Sequence, residues 1–271
     1  MSSAAARSAA PNSTTCANCA AKRPASRNAT PAARRKKHSD FGFWIAGFGL
    51  ISKAKYLKKH AQSKIRNPKS KIEMVGLNFE RRAHDEGYGF VAGVDEVGRG
   101  CLAGAVVAGA VILDLRKPLP EGLNDSKKLS KTKRERIAEE IRQSALAFAV
   151  GQIEADEIDR INILEATKKA MLQAVVRLNP AADFLLIDAL QLKDSALPQK
   201  AIIKGDAVSA SIAAASVLAK VYRDDLMAEL DKTYPQYGFA RHAGYGTKAH
   251  FEALRKHGPC DLHRKSFRGV L

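Results

Sequence analysis

An acidic pair stands at the end of the first apolar strand that this sequence predicts. Residues 93–100 read GVDEVGRG, so Asp95 and Glu96 close the strand and a glycine-arginine-glycine turn follows them. A buried charge is costly unless it is paired or binds a metal. The acidic pair therefore indicates a metal site, and the turn beside it indicates contact with a phosphodiester.

A glycine-rich dinucleotide site is the competing interpretation of this region. Gly98, Gly100 and Gly104 follow a strand, but the dinucleotide fingerprint requires a helix next. Residues 105–113 are instead apolar and rich in β-branched side chains. Only a few residues separate the two apolar segments, whereas a parallel crossover needs about a dozen. The pattern predicts an antiparallel hairpin and argues against a nucleotide cofactor.

The basic residues are concentrated at the start of the chain. Residues 1–73 hold 16 Lys and Arg against two Asp and Glu, while the rest holds 29 against 26. Residues 1–40 have too few large apolar side chains to build a core, so we expect disorder there. Residues 41–51 are apolar but only about half as long as a helix that spans a bilayer. We interpret residues 1–73 as a basic extension before a single folded domain.

Two explanations of this extension stay open. A Ser- and Arg-rich, acid-poor start is typical of an organellar transit peptide. Alternatively, translation begins at Met74, where an ordinary protein composition starts.

The four cysteines are too few for a disulfide framework and favour a reducing compartment. We therefore expect a cytoplasmic protein, or an organellar one if the extension is a transit peptide. Cys16 and Cys19 lack the second ligand pair that a zinc site needs. Cys101 and Cys260 are expected to be buried or half-buried thiols.

The segment 74–271 is long enough for one domain with a sizeable core. Two strands come first, and helices and strands then alternate, which is typical of an α/β fold with a mixed sheet. The expected strands cover residues 88–97, 104–113, 146–154, 183–188 and 200–204, and the expected helices cover 131–144, 157–178, 209–231 and a segment after 247.

Two further acidic residues occupy positions where a metal site would need them. Asp188 ends the apolar strand FLLID, and open α/β sheets place ligands at strand ends. Asp224 lies on an alanine- and serine-rich helix that can pack close to the sheet. Lys220 stands one turn earlier and could form an ion pair with Asp224 instead, so both interpretations of Asp224 stay open.

Four carboxylates from separate elements suit two divalent cations. One cation would activate water and the other would stabilise the leaving oxygen of an in-line displacement. Oxygen ligands favour Mg²⁺ or Mn²⁺ over zinc. Neighbouring residues of a strand point to opposite faces, so Asp95 and Glu96 can share a site only if the strand bends at Val97 and Gly98.

Six motifs follow one another along the chain. They are GVDEVGRG at 93–100, NDSKKLS at 124–130, LLIDAL at 185–190, KGD at 204–206, SIAAASVLAKVYRD at 211–224 and HAGYGT at 242–247. Together they resemble ribonuclease HII, the type 2 ribonuclease H family. The resemblance implies a ribonuclease H-like fold with a five-stranded mixed sheet flanked by helices and a helical carboxyl-terminal part. It also implies that Asp95, Glu96, Asp188 and Asp224 are the catalytic, metal-binding carboxylates.

The resemblance also assigns substrate-binding roles. The turn at 98–100 would read the 2′-hydroxyl and the adjoining phosphate; glycines let the backbone approach a ribose, and this hydroxyl separates RNA from DNA. The tyrosine of the last motif would pack on the sugar after the junction, and the two lysines of NDSKKLS would contact phosphates. These residues are Gly98, Arg99, Gly100, Lys127, Lys128 and Tyr245.

Two sister families fit the sequence less well. Ribonuclease HIII lacks an arginine between the two glycines and carries a folded amino-terminal domain, whereas Arg99 is present in this chain. The carboxylates of ribonuclease HI come in a different order and spacing. The resemblance is therefore to the HII type.

We expect an endonuclease that hydrolyses the RNA strand of RNA/DNA hybrids and cuts 5′ of single ribonucleotides in duplex DNA, as in ribonucleotide excision repair and DNA replication. These duplexes would be its partners, with no membrane and no protein partner, and the chain would act as a monomer. Two alternatives stay open: a non-catalytic basic binding module, and a metal-dependent DNA nuclease or integrase-like enzyme.

Overall fold

The computed structural model describes residues 75–271, and the expectations for the basic extension and for Cys16 and Cys19 lie outside that range. One mixed sheet of five strands runs through this part of the chain in the order β3-β2-β1-β4-β5. β1 and β2 form the predicted antiparallel hairpin, β3 is antiparallel to β2, and β4 is parallel to both β1 and β5. The predicted sheet is confirmed. The strands are β1 (Val91–Val97), β2 (Val106–Ile112), β3 (Ala147–Ile153), β4 (Phe184–Asp188) and β5 (Gln199–Ile202).

Seven α-helices accompany the sheet in residues 75–271. None of them is both long and apolar enough to cross a membrane. They are α1 (Asn78–Asp85), α2 (Lys131–Ser144), α3 (Ala155–Ile161), α4 (Ile163–Val176), α5 (Ala210–Thr233), α6 (Phe239–His242) and α7 (Lys248–His257).

Apolar cores lie on both faces of the sheet. On one face Met171 of α4 belongs to the same buried cluster as Val94 and Ile187. On the other face α2 packs against α5 through side chains that include Ile141. The chain after α5 contains the short helices α6 and α7 and builds a separate cluster around Phe239. Truncating a fully buried side chain such as Met171 or Ile141 to Ala would lower the free energy of unfolding by about 2–5 kcal/mol.

Helix α5 lies almost in contact with the sheet backbone. A Cβ atom at Gly93 would stand 2.1 Å from the Ser211 carbonyl carbon, and one at Gly109 would stand 2.5 Å from the Ala215 carbonyl oxygen. Any side chain at these two positions would force the helix away from the sheet. The glycines therefore fix α5 against β1 and β2.

The prediction of one helix over residues 157–178 is wrong. Two helices, α3 and α4, meet at Asn162, where φ is 71°. The Asn162 side chain accepts hydrogen bonds from the backbone N–H groups of Leu164 and Glu165 and so caps the second helix. The other predicted boundaries agree with the structure to within three residues.

Candidate active site

Three of the four predicted carboxylates lie at one end of the sheet. β1 and β4 run parallel and pair Val94 with Ile187, so the next residues along the two strands are Asp95 and Asp188. Neighbouring strands are about 4.8 Å apart. Glu96 follows Asp95 directly on β1, which ends at Val97, and the next residue, Gly98, has a φ of 89°. The hairpin and the parallel strand together bring these side chains within electrostatic range of one another.

Burial and mutual repulsion raise the pKa values of this cluster. Asp95 is only 3% exposed, and its pKa lies well above the usual value because of burial first and the charge of Glu96 second. Burial also raises the pKa of Glu96, and Asp188 adds to that rise while Arg99 opposes it. Clustered carboxylates of this kind favour a bound cation, since a cation removes both penalties.

Hydrogen bonds to N–H groups already occupy one oxygen of each carboxylate. The Asp95 Oδ1 atom accepts from the backbone N of Glu96 at 2.8 Å, and the Asp188 Oδ1 atom accepts from the backbone N of Gly205 at 2.7 Å. Arg99 Nη1 donates to Glu96 Oε1 at 3.0 Å. Between residues 75 and 271 no three His, Cys, Asp or Glu side chains are arranged to hold a metal ion. The other Glu96 oxygen, Oε2, is buried without a hydrogen-bond partner.

The fourth predicted carboxylate, Asp224, forms ion pairs with two cationic side chains. Lys220 Nζ lies 2.6 Å from Asp224 Oδ1, which confirms the predicted pairing, and Arg134 Nη1 lies 2.9 Å from Oδ2. Both cations and Asp224 line an open cleft of about 410 Å³ that also includes Tyr245 and Arg241. Asp224 therefore occupies the basic cleft beside the cluster.

The NDSKKLS loop is held over the carboxylates from the side of α5. The hydroxyl groups of Ser126 and Ser216 are 2.9 Å apart and both side chains are buried. Lys127 and Lys128 are exposed, and Lys127 Nζ lies 3.7 Å from the Asp206 carboxylate. Burial lowers the pKa of Lys127, but Asp206 and neighbouring carboxylates outweigh burial and raise it. The loop thus places ammonium groups beside the acidic cluster.

Asp206 is an acidic residue of this site that the sequence interpretation did not single out. It is buried, and its pKa is raised by burial first and then by Asp125 and Asp188. The KGD motif contained it, but no pattern in the sequence places a residue of a one-turn helix beside a strand end. The structure places Asp206 in this site because Gly205, the residue before it, lies next to Asp188.

The glycine-arginine-glycine turn is open on its outer side. Gly98 has a φ of 89°, and a Cβ atom there would stand 2.2 Å from Arg223 Nε, so the position requires glycine. No atom lies within 4 Å of a Cβ built at Gly100. The Arg99 side chain is 42% exposed and is held by Glu96. A ligand can therefore approach this backbone closely.

Tyr245 stands next to the turn. Cys101, which is buried as predicted, forms a β-bridge with Tyr245, and Leu102 N donates to Gly244 O at 2.8 Å. The ring is 39% exposed, and Lys220 Nζ lies 5.9 Å from its centre. The structure therefore places Tyr245 beside the turn with which it is predicted to act. Cys260 is half-buried, as expected.

Two buried arginines that the sequence did not single out hold these segments together. Arg223 donates to the carbonyl groups of Ala103, Ala105 and Ala243, and neither this arginine nor Arg264 is exposed to solvent. Arg264 donates from Nη1 to the carbonyl of Arg99 at 3.0 Å and from Nε and Nη2 to that of Gly104. Burial lowers the pKa of Arg264 to about 10, so it remains charged near neutral pH.

This chain is similar to proteins of one family. The ribonuclease HII family model matches residues 92–270. A ribonuclease HII of Desulfitobacterium hafniense is 56% identical over 194 residues, which cover 72% of this chain and 74% of that protein. The PCNA:RNase HII complex from Archaeoglobus fulgidus contains a chain with 27% identity and a TM-score of 0.58, covering 66% of this chain and 95% of that one. Bst-RNase HIII in complex with Mn²⁺ shares the fold, with a TM-score of 0.51 and 22% identity over 69% of this chain and 70% of that one.

Proposed function

Because this chain belongs to the ribonuclease HII family of RNase H endonucleases, we propose that it hydrolyses the RNA strand of RNA/DNA hybrids and cuts 5′ of single ribonucleotides in duplex DNA. The products would carry 3′-hydroxyl and 5′-phosphate ends. The observation that supports this proposal is one juxtaposition. Three carboxylates lie at the ends of two neighbouring strands, two of them, Asp95 and Glu96, stand directly before the open turn at residues 98–100, and Tyr245 lies beside that turn.

The oxygen donors of the cluster fit Mg²⁺ or Mn²⁺. Asp95, Glu96 and Asp188 supply hard oxygen atoms, and the partnerless Oε2 atom of Glu96 is a buried acceptor without a donor. Two divalent cations would supply an activated water and stabilise the leaving oxygen. The Bst-RNase HIII structure in complex with Mn²⁺ supports the same choice for a relative in fold.

Asp224 is proposed as the fourth ligand on the strength of the family resemblance. Its oxygens are held by Lys220 and Arg134, so Asp224 would have to share or leave these ion pairs in order to hold a metal. A phosphate entering the basic cleft would offer Lys220 and Arg134 an alternative partner. Substrate entry and completion of the metal site would then be one event.

The residues around the cluster have separate tasks in this proposal. Arg99 would exchange Glu96 for the phosphate at the cleavage point, while the backbone of the turn reads the 2′-hydroxyl. Lys127 and Lys128 would contact phosphates beside the carboxylates. Tyr245 would pack on the sugar after the junction, and a site that recognises a hydroxyl can reject the analogue without it by about 10⁴-fold.

A single assay tests the proposal. Labelled DNA duplexes with and without one ribonucleotide, and a uniform RNA/DNA hybrid, are incubated with the protein with Mg²⁺, with Mn²⁺ or with chelator. We expect metal-dependent cleavage 5′ of the ribonucleotide and none of the all-DNA duplex. Binding without cleavage would indicate a binding module, and cleavage of all-DNA duplexes would indicate a DNA nuclease. We further propose a cytoplasmic monomer whose partners are these duplexes.

A further inference from the structure

A buried histidine pair lies behind Tyr245, outside the carboxylate cluster. His250 stands in the first turn of α7 and His263 lies in the segment after it; the two side chains are 0% and 1% exposed. Their Nε2 atoms are 3.0 Å apart. Cys260 lies beside His263, but the three do not form a metal site within residues 75–271. The pair is therefore a hydrogen-bonded arrangement of side chains.

The direction of each hydrogen bond in the series Cys260–His263–His250–Tyr245 follows from the groups at its two ends. At one end the backbone N–H of Cys260 lies 3.0 Å from His263 Nδ1 and can only donate, so Nδ1 accepts. At the other end the carbonyl of Tyr245 lies 2.9 Å from His250 Nδ1 and can only accept, so this Nδ1 carries a proton. His263 must then donate from Nε2 to the Nε2 atom of His250. Both rings are neutral and each has one tautomer.

An additional proton on either ring would break the chain. A second proton on His250 would point at the Nε2 proton of His263, and a second proton on His263 would point at the N–H of Cys260. Rings pack on both sides and leave no room for a swing: His242 stacks on His250 at 4.5 Å and Tyr237 contacts His263 at 4.8 Å between ring centres. The arrangement is complete only in its neutral form.

This series of hydrogen bonds ends on the backbone of Tyr245, which lies in a glycine-rich turn. Tyr245 lies between Gly244, whose φ is 77°, and Gly246. Glycines on both sides give the backbone wide conformational freedom. Its carbonyl accepts one hydrogen bond from the backbone N of Thr247 at 2.8 Å and the other from His250. Arg223 and His242 anchor the preceding residues of this turn, and the bond from His250 is the side-chain hydrogen bond to the backbone of Tyr245 itself.

We infer that His250 and His263 are positioning residues that orient Tyr245 toward the sugar after the cleavage junction. The inference rests on the proposed function, because it assigns the two histidines to the same discrimination. It makes α7 and the C-terminal segment part of the substrate-reading apparatus, although neither histidine can touch the substrate from its buried position.

Two substitutions at one position separate orientation from packing. His250→Asn places an amide nitrogen near the former Nδ1 and keeps a donor to the Tyr245 carbonyl. His250→Gln places its amide near the former Nε2, which keeps the contact with His263 but loses the donor to Tyr245. His257→Gln, on the exposed end of the same helix, is the matched control, and Tyr245→Ala defines the full effect.

The measured quantity is the ratio of kcat/KM on a duplex with one ribonucleotide to kcat/KM on a uniform RNA/DNA hybrid. Partial misfolding lowers the active fraction equally for both substrates, so it leaves the ratio unchanged. Tyr245→Ala should lower the ratio most. His250→Gln should lower it about tenfold, the effect of one hydrogen bond, and His250→Asn should stay within about threefold of wild type.

The outcomes separate the inference from the function on which it rests. Equal losses on both substrates in His250→Gln, with a wild-type ratio, would show that the histidines only support the fold and would overturn the inference. A wild-type protein that cleaves neither duplex with Mg²⁺ or Mn²⁺ would overturn the proposed function itself. A ratio that falls in the His257→Gln control as well would also overturn the inference, because that side chain is outside the chain of hydrogen bonds.

Discussion

The acidic end of the sheet and the region around Tyr245 treat buried polar groups in opposite ways. At the acidic end the pKa values of Asp95 and Glu96 are raised by burial, and one Glu96 oxygen has no partner. Around Tyr245 each guanidinium nitrogen of Arg264 donates to a carbonyl group, and the histidine pair is saturated. In the proposed function a cation would complete the first region, whereas the hydrogen bonds of the second are complete in the protein alone. Chemistry and recognition should therefore respond differently to metal, mutation and pH.

The largest effect should come from Asp188→Asn. The amide can still accept from the backbone N of Gly205 but loses the charge that holds a cation. Changes outside the ligands themselves already cost about 10–100-fold, so metal-dependent cleavage should fall by more than about 100-fold. In chelator the variant should unfold at the same or a higher temperature, because one repelling charge is gone. Asp95→Asn should behave alike.

The control for this prediction is Asp156→Asn, at an exposed position on α3. It should change neither cleavage nor melting temperature. Near-normal turnover in Asp188→Asn would contradict the assignment of metal ligands.

In the region around Tyr245 a substitution of a buried charged residue should lower the stability of the fold, in contrast to Asp188→Asn. Arg264→Lys keeps the charge but loses the planar set of donors to the carbonyl groups of Arg99 and Gly104. Because hydrogen bonds to charged groups contribute about 1.5–3 kcal/mol each, we expect the free energy of unfolding in urea to fall by about 2–3 kcal/mol, with or without metal. Arg268→Lys, an exposed neighbour, should leave it unchanged. An unaltered urea midpoint in Arg264→Lys would show that this fork does not stabilise the fold.

Acidification should lower the stability contributed by the histidine pair and raise the stability contributed by Asp95. Burial first and the His250 ring second lower the pKa of His263 to about 4, and burial lowers the pKa of His250. An unfolded histidine titrates near pH 6.5, so between about pH 6.5 and pH 4 the unfolded chain takes up protons that the native state does not, and stability falls. Asp95 has a raised pKa, so its native form takes up a proton that the unfolded form does not, and stability rises.

Unfolding free energies in chelator at pH 7, 6 and 5 check these signs. His263→Gln should flatten the acid loss of stability. Asp95→Asn should steepen it, because the compensating uptake of a proton disappears. Identical pH profiles for both variants and wild type would contradict the opposite linkage of the two regions.

Removal of the basic extension should have the smallest effect on turnover. Every motif of the site lies after Met74, so a protein that starts there should fold and cleave with unchanged kcat. Each phosphate that a Lys or Arg contacts steepens the plot of log affinity against log salt concentration by about 0.9. An extension with a net charge of +14 can therefore steepen this slope by several units if it contacts the duplex. Affinity at low salt should fall on truncation. A truncated protein that binds hybrid but turns over slowly would show that the extension belongs to the enzyme.

Much of the fold could be predicted because local patterns agree with tertiary structure. The β-branched run after residue 104 indicated the hairpin, and the helix predicted over residues 131–144 has the bounds of α2. The break at Asn162 had a signal as well, since an Asn followed three residues later by Glu165 is typical of a helix start. Apolar residues on both sides of this position concealed the break.

The site could be predicted only where a motif carried it. Asp95 and Asp188 end apolar strands, and that position is visible in the sequence. Arg223 and Arg264 look like ordinary surface charges, because their partners are backbone carbonyl groups, and all but the one of Ala243 lie 118–165 residues away. A carbonyl acceptor leaves no trace in the identity of the residue that provides it, so only the fold reveals these contacts.

Helix α5 fixes the distance between the carboxylate cluster and the turn that carries Tyr245. Gly93 and Gly109 seat its first half on the sheet, Ser216 stands beside Asp95, and Arg223 ties its second half to the turn that carries Tyr245. At 1.5 Å per residue, Ser216 and Arg223 are about 10 Å apart along an unbroken helix. In the proposed function the helix would therefore act as a rigid spacer between Asp95 and Tyr245, so that a duplex with the wrong sugar beside Tyr245 would lie out of line with the carboxylates.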